Sequence, residues 1–138
     1  MDDSWASISP GWKLVDPYQT AEQSVLIKGE LEEDYCVFLI LRGKRTNEIS
    51  SQKFKNQLTI FERALSSLSN GSIFHAMSAN GMAVAAATDD DEALRICNNA
   101  IANGALSAAI TGSGPAISVV CFLEDKPLIR EVLSRTQY

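Results

Sequence analysis

Residues 105–121 read ALSAAITGSGPAISVVC, and this stretch decides the fold. Two apolar segments, residues 105–110 and 116–122, flank a short loop that contains Gly112 and Gly114. Their length and their content of β-branched residues predict two strands. A glycine loop this short is typical of a turn between neighbouring antiparallel strands. The stretch therefore predicts an antiparallel hairpin.

Three helical segments precede the hairpin. The first begins at Ser50, where apolar residues recur at helical spacing. The second contains Gly81 and several alanines, so it is thin enough to pack close to its neighbours. The third begins in the acidic run 89–92, where the helix dipole favours negative charge, and it ends at Asn103 and Gly104.

The remaining segments complete the order of elements. Residues 35–41, YCVFLIL, predict a strand that is buried on both faces. Residues 11–15 and 24–28 predict two shorter strands, and residues 127–135 predict a helix with proline in its first turn. The order matches an α+β, ferredoxin-like βαββαβ plan with the last strand absent. We expect a single domain over residues 1–138, an antiparallel sheet with helices packed on one face.

Composition excludes several classes of function. The net charge is −5, which disfavours a nucleic-acid partner. No apolar run reaches the roughly 20 residues that a membrane helix needs, and the N-terminus has no signal-peptide pattern. Cys36, Cys97 and Cys121 are far apart in apolar surroundings, which indicates reduced, buried thiols. With His75 as the one histidine, no metal site is expected, and the prediction is a cytoplasmic protein without a membrane partner.

The glycine loop is the strongest candidate for a functional segment. Its two glycines permit positive φ angles and close approach of a ligand to the backbone, and two hydroxyl side chains add donors. Neither standard phosphate-loop pattern is present, so the residues alone leave two interpretations open: a loop that faces an anion, or a plain turn. The loop residues are Thr111, Gly112, Ser113, Gly114 and Pro115.

A resemblance to a known family changes that balance. Residues 105–121 resemble the third motif of the GHMP kinases, which include galactokinase, homoserine, mevalonate and phosphomevalonate kinases. Residues 2–7 and 11–16 are similar to the family's paired aspartates and the strand that follows them. Residues 39–46, with their Arg-Thr pair, and residues 76–87, with their Asn-Gly pair, resemble two further family segments. Within this superfamily, the sequence of these segments is most similar to the archaeal-type shikimate kinases.

The resemblance implies a phosphoryl transfer from ATP, with Mg²⁺, to the 3-hydroxyl of shikimate in aromatic amino-acid synthesis. Asp2 matches the aspartate that acts as the base on the acceptor hydroxyl, and Asp3 occupies the neighbouring position. The family's third-motif loop lies against the nucleotide phosphate loop and supports it. Homoserine and mevalonate-type kinases are the alternatives within the superfamily.

Three further residues are candidates for contact with the acceptor. An acidic acceptor needs a cation for its carboxylate, and Arg42 and Arg45 offer bidentate guanidinium groups, with Lys44 as a substitute. The competing interpretation is a basic strand end that faces water. Asn80 either touches ligand or serves helix packing.

The nucleotide loop of the family occurs nowhere in this sequence. We therefore expect the chain alone to bind neither ATP nor Mg²⁺ and to be inactive without an N-terminal kinase domain as its partner. The surface around Asp2, Asp3 and the glycine loop is expected to promote self-association. A non-catalytic ferredoxin-like module that binds a ligand or regulates an enzyme remains the alternative from a different class.

Overall fold

The computed structural model describes residues 8–16, 18–45 and 48–136. The chain divides into two compact units, residues 1–34 and 35–138. The assignment of the whole chain to one kinase domain stays a prediction. Asp2 and Asp3, the candidate bases, lie outside the described residues.

The first unit contains a two-stranded antiparallel hairpin. Strand β1 is Trp12–Val15 and strand β2 is Val25–Gly29, and Trp12 lies opposite Gly29. A short 3-10 turn, Ala21–Ser24, leads into β2. Both strands were expected from the sequence, and their bounds agree to within one residue.

The second unit is an α+β fold, as the sequence predicts. Its three strands form one antiparallel sheet in the order β3-β5-β4, so that β5 lies between the other two. This is the split β-α-β arrangement of a ferredoxin-like plan. Its elements in chain order are β3 Tyr35–Ile40, α1 Ser51–Lys55, α2 Leu58–Ser69, α3 Ile73–Ala87, α4 Asp91–Ala102, β4 Ser107–Ile110, β5 Ile117–Phe122 and α5 Lys126–Ser134.

The main core lies between one face of this sheet and the helices α4 and α5, and Val84 and Ala85 of α3 extend it. Alternate residues of each strand point into it because side chains of a strand alternate between the two faces. The sheet and the two helices contribute Phe38, Ile40, Ala108, Ile110, Ile117, Val119 and Cys121 together with Ile96, Ala100, Ile129 and Leu133. Six of these side chains are completely buried: Ile96, Ala100, Ile117, Val119, Cys121 and Ile129.

Helix α3 packs along the edge strand β4. The Cβ that an alanine would place at residue 81 lies 2.4 Å from the Cβ of Ala109 and 2.7 Å from its Cα, so only glycine permits this approach. Ser78 Oγ accepts a hydrogen bond from the backbone N–H of Ala108 at 3.3 Å and bonds the hydroxyl of Ser107 at 3.1 Å. The helix thus covers the free edge of β4 and touches residues on the face opposite the main core.

Two sequence predictions need correction. Strand β3 was expected to be buried on both faces, but Val37 and Leu39 are 61% and 59% exposed. The reason is that the helices pack against the face of β3 that carries Phe38 and Ile40, whereas Val37 and Leu39 lie on the opposite face. The first predicted helix is two helices, α1 and α2, because the chain leaves helical geometry at Gln57.

Candidate functional site

The glycine loop between β4 and β5 closes on itself by two backbone hydrogen bonds. Thr111 N–H donates to Ala116 O at 2.9 Å, and Gly114 N–H donates to Thr111 O at 2.9 Å. Gly112 and Gly114 have φ angles of 57° and 84°, which glycine adopts without the strain that a side chain would add. The two glycines therefore give this loop a fixed shape with its tip, at Ser113, exposed to solvent.

Arg45 holds the tip of the loop from outside. Its Nη2 donates to Ser113 O and to Ser113 Oγ, both at 2.6 Å, and to Gly114 O at 3.1 Å. One guanidinium thus contacts three oxygen atoms of two adjacent loop residues. Carbonyl and hydroxyl oxygens are satisfactory acceptors for this cation, and the contacts fix the loop against the segment that follows β3.

Arg42 ties the base of the loop to the start of α4. Its Nη1 and Nη2 donate to the two carboxylate oxygens of Asp90, both at 2.8 Å, and Nη2 also donates to Glu92 at 2.7 Å. A further bond joins Nη1 to the carbonyl of Pro115 at 3.0 Å. The paired, planar geometry with Asp90 is the strong form of an arginine–carboxylate contact.

Asp90 is also the N-cap of α4. Its side chain accepts a hydrogen bond from Ala93 N–H at 3.0 Å. The guanidinium of Arg42, and then the Ala93 N–H, lower the pKa of Asp90 below its ordinary value against the opposing effect of burial. The hydrogen bond with Asp90 correspondingly raises the pKa of Arg42. Asp90 therefore stays a carboxylate at any physiological pH.

A small cavity lies beside the loop. Its volume is about 90 Å³, and its lining is Arg42, Lys44, Arg45, Thr88, Asp90, Ser113 and Pro115. Two of the three cations at its wall already make hydrogen bonds within the protein, whereas none joins the ammonium group of Lys44 in the part of the chain that the structure describes. Lys44 is therefore the cation of this wall that is best placed to take an anionic group.

One buried atom at this site has an unused hydrogen-bonding capacity. Arg42 Nε is buried and has no hydrogen-bond partner among the described residues, although both terminal nitrogens of the same guanidinium are engaged. An unpaired buried N–H is unfavourable, so such a position usually holds water or ligand. The orphan donor shows that the cluster around Arg42 is not saturated by protein groups alone.

The structure brings together some of the predicted site residues and separates others. Arg42 and Arg45 both contact the glycine loop, as a shared site requires. Asn80 lies on the exposed side of α3 and does not line the cavity.

Sequence reasoning missed Asp90 and Glu92 as partners of Arg42. The acidic run before α4 was explained by the helix dipole alone, and the basic residues after β3 were explained as a solvated strand end. Two clusters of opposite charge in one small domain were the available signal.

The described residues show neither a cluster of metal ligands nor a membrane-spanning helix. In residues 8–16, 18–45 and 48–136, no three side chains of histidine, cysteine, aspartate or glutamate are grouped as metal ligands would be. None of the helices in these ranges combines the length and the apolar character that a membrane crossing requires.

The contacts of Arg45 lead to a testable prediction. We expect Arg45→Gln to raise the amide hydrogen-exchange rate of Gly114 about tenfold while it changes the free energy of unfolding by less than about 1 kcal/mol, because Arg45 is exposed and its hydrogen bonds to described residues all go to the loop. Arg95→Gln, at an exposed position on α4, is the matched control. Unchanged exchange at Gly114 in Arg45→Gln would show that the loop is rigid without the brace.

The comparisons with known proteins give one similar structure. No protein-family model matches the sequence. The crystal structure of homoserine kinase from Cytophaga hutchinsonii ATCC 33406 is similar at 16% sequence identity and a TM-score of 0.43. The similarity covers 83% of this chain and 41% of that protein, so the chain spans about two fifths of its length.

Proposed function

We propose that this chain is the C-terminal domain of an ATP-dependent small-molecule kinase of the GHMP type. The observation that carries the proposal is the glycine loop, with a shape set by Gly112 and Gly114 and braced by two arginines from the end of β3. The family-like sequence of this loop supports the same conclusion. In this proposal the loop is a firm support for the nucleotide phosphate loop of a second domain.

Firmness is the property that such a support needs. Phosphoryl transfer depends mostly on positioning and on stabilisation of charge around the phosphates, so a loop that moves weakens catalysis without touching the substrate. Arg42 fixes the base of the loop through Pro115 O, and Arg45 fixes its tip through Ser113. Both arginines are positioning residues in this scheme.

The acceptor is proposed to be a hydroxy acid, with shikimate first and homoserine or mevalonate as alternatives. The argument from the structure is Lys44, a cation at the wall of the cavity beside the loop. A carboxylate of the acceptor is the group that this cation would hold. Arg42 is less suited to that role than the sequence suggested, because Asp90 and Glu92 already neutralise it.

The proton of the acceptor hydroxyl is proposed to pass to Asp2. As the hydroxyl oxygen bonds to the γ-phosphorus of ATP, the bond from that phosphorus to the bridging oxygen of ADP breaks, and the carboxylate takes the hydroxyl proton. Mg²⁺ neutralises charge on the transferring phosphates when ATP is bound. The nucleotide and the metal are expected to be held by the partner domain, with this chain closing the site.

A coupled ATP-consumption assay tests the proposal. We expect no turnover with the chain alone, and turnover with shikimate when the chain is supplied with a nucleotide-binding domain, either as its native upstream sequence or as a separate protein. In the active form, Asp2→Asn should lower kcat by about a hundredfold or more, and Lys44→Gln should raise KM for the acid with a smaller effect on kcat. Lys28→Gln, in the first unit, is the control for a general loss of charge.

Absence of turnover would contradict the kinase proposal. If the supplemented chain is silent with shikimate, homoserine and mevalonate, the kinase proposal fails. Binding of one of these acids to the chain alone, abolished by Lys44→Gln, would then favour the non-catalytic ligand-binding module.

A further inference from the structure

Two of the three cysteines lie directly opposite each other in the sheet. Strand β3 places Cys36 against Cys121 of β5, within an antiparallel register that runs continuously over six residue pairs. Side chains of directly opposite residues lie on the same face of a sheet. Both sulfur atoms are therefore on the face that carries the main core, and neither belongs to a disulfide.

The spacing of opposite residues suits a bond between these two sulfur atoms. Directly opposite residues of an antiparallel pair have Cα atoms about 4.5–5.5 Å apart, and a disulfide joins residues whose Cα atoms are about 4.4–6.8 Å apart. The two thiols also interact, since burial, and then the adjacent Cys36 thiol, raise the pKa of the Cys121 thiol. The hydrogen-bonded strands thus hold a pair of thiols within reach of each other.

The two thiols differ in their access to solvent. Cys36 is half-buried, whereas Cys121 is completely buried. A small oxidant that arrives from solvent can react with Cys36 alone. Cys121 can react only with a sulfur atom that is already held beside it. This division of roles is that of an attacking thiol and a resolving thiol.

Cys97 provides the contrast within the same chain. It is half-buried like Cys36, and burial raises the pKa of its thiol to about 11. The charged groups that act on it are Arg42 and Asp90, and neither of the other cysteines is among them. Cys97 therefore offers a thiol of similar exposure without a second thiol opposite it.

We propose that Cys36 and Cys121 form a dithiol modification site that small-molecule disulfides, such as oxidised glutathione, convert reversibly to a disulfide. The Cys36 thiolate attacks one sulfur of the oxidant, and the S–S bond of the oxidant breaks to release one glutathione thiolate. The Cys121 thiolate then attacks the Cys36 sulfur of the mixed disulfide and displaces the second glutathione. The two protein thiols lose one proton each and the two released thiolates take one each. The protein pair loses two electrons, which the oxidant gains.

The product is a covalent link between β3 and β5. Strand β3 leads into the segment that carries Arg42 and Arg45, and β5 begins just after the glycine loop that these arginines contact. The link prevents β3 from separating from β5, so amide hydrogen exchange in β3 should slow in the oxidised chain. The proposal does not rest on the kinase function, because neither cysteine lines the cavity beside the glycine loop.

Equilibration of the full 138-residue chain with mixtures of reduced and oxidised glutathione tests the proposal. Free thiols are then blocked with an alkylating reagent, and the peptides are identified by mass spectrometry. We expect one intramolecular disulfide between Cys36 and Cys121, an alkylated Cys97, and full reversal by dithiothreitol. The equilibrium constant for this disulfide should be at least about a hundredfold larger in the native chain than in urea, because the folded sheet holds the two sulfur atoms together.

Three variants assign the bond to its residues. Cys36→Ser should abolish the disulfide, and Cys121→Ala should stop the reaction at the mixed disulfide of Cys36 with glutathione. Cys97→Ser is the matched control and should leave the equilibrium constant within about twofold of the original. It also simplifies the mapping, because no lysine or arginine lies between residues 96 and 125 and trypsin therefore leaves Cys97 and Cys121 in one peptide. Circular dichroism checks that each variant folds.

A native chain that forms no intramolecular disulfide in oxidised glutathione overturns the proposal. An equilibrium constant no larger in the native chain than in urea overturns it too, because the sheet then gives the pair no advantage. A bond that joins Cys97 to either partner, or one that joins two chains, would likewise contradict it.

Discussion

Gly81→Ala is expected to destabilise the second unit by about 1–3 kcal/mol, although the same change in an ordinary helix would stabilise it by up to about 1 kcal/mol. The added Cβ would lie 2.4 Å from the Cβ of Ala109, 2.7 Å from its Cα and 3.1 Å from the backbone nitrogen of Ile110. Two of these neighbours are backbone atoms of β4 and cannot rotate away. Helix α3 must therefore move off the strand, which also weakens the hydrogen bond from Ala108 N–H to Ser78.

Urea unfolding followed by circular dichroism measures this effect. Gly43→Ala is the control, because an added Cβ there meets no atom within 4 Å. We expect less than about 0.5 kcal/mol from it. Gly81→Leu should be worse than Gly81→Ala because its larger side chain adds more overpacking. If Gly81→Ala is instead more stable than the original chain, the close contact between α3 and β4 does not exist in solution.

Arg42→Met is expected to cost about 2–4 kcal/mol of the free energy of unfolding. The arginine side chain is 10% exposed and that of Asp90 is 17% exposed, so its removal leaves a largely buried carboxylate without its cation. The more exposed Glu92 recovers part of its lost interaction from water. The substitution also removes the hydrogen bond to Pro115 O, so exchange in the glycine loop should rise as well.

The pH dependence separates this ion pair from simple packing. Asp90 has a lowered pKa in the folded chain, so its contribution is present above its unfolded pKa and is lost as pH falls through the folded value. The difference in stability between the original chain and Arg42→Met should therefore be largest near neutral pH and shrink below about pH 4. A difference that stays constant down to acid pH would mean that Arg42 acts by packing alone. Arg95→Met, on an arginine that is 61% exposed, is the control.

The sequence predicted the local elements well because their signals are local. The hairpin around Gly112 and Gly114 follows from two apolar runs and a glycine loop, and the start of α4 follows from an acidic run that the helix dipole favours. The tight packing of α3 followed from Gly81 and its alanine neighbours, and the added-Cβ distances confirm it.

The rest depends on tertiary contacts that leave no local trace. The exposure of Val37 and Leu39 was missed because a strand buried on both faces and an apolar edge strand have the same composition. The pairing of Arg42 with Asp90 joins residues 48 positions apart, and each had an adequate local explanation of its own. The roles of Asp2 and Asp3 stay predictions, since both lie outside the described residues.

The packing of α3 along β4 limits aggregation by strand addition to the sheet. In the described part of the second unit, the backbone of Ala108 is occupied by a serine hydroxyl, so this end of the sheet cannot recruit a further strand. A sheet that is sealed on one side can join one neighbour through the other and then has no growing end. Strand addition to such a sheet would stop after one contact, whereas a sheet open on both sides would polymerise into filaments.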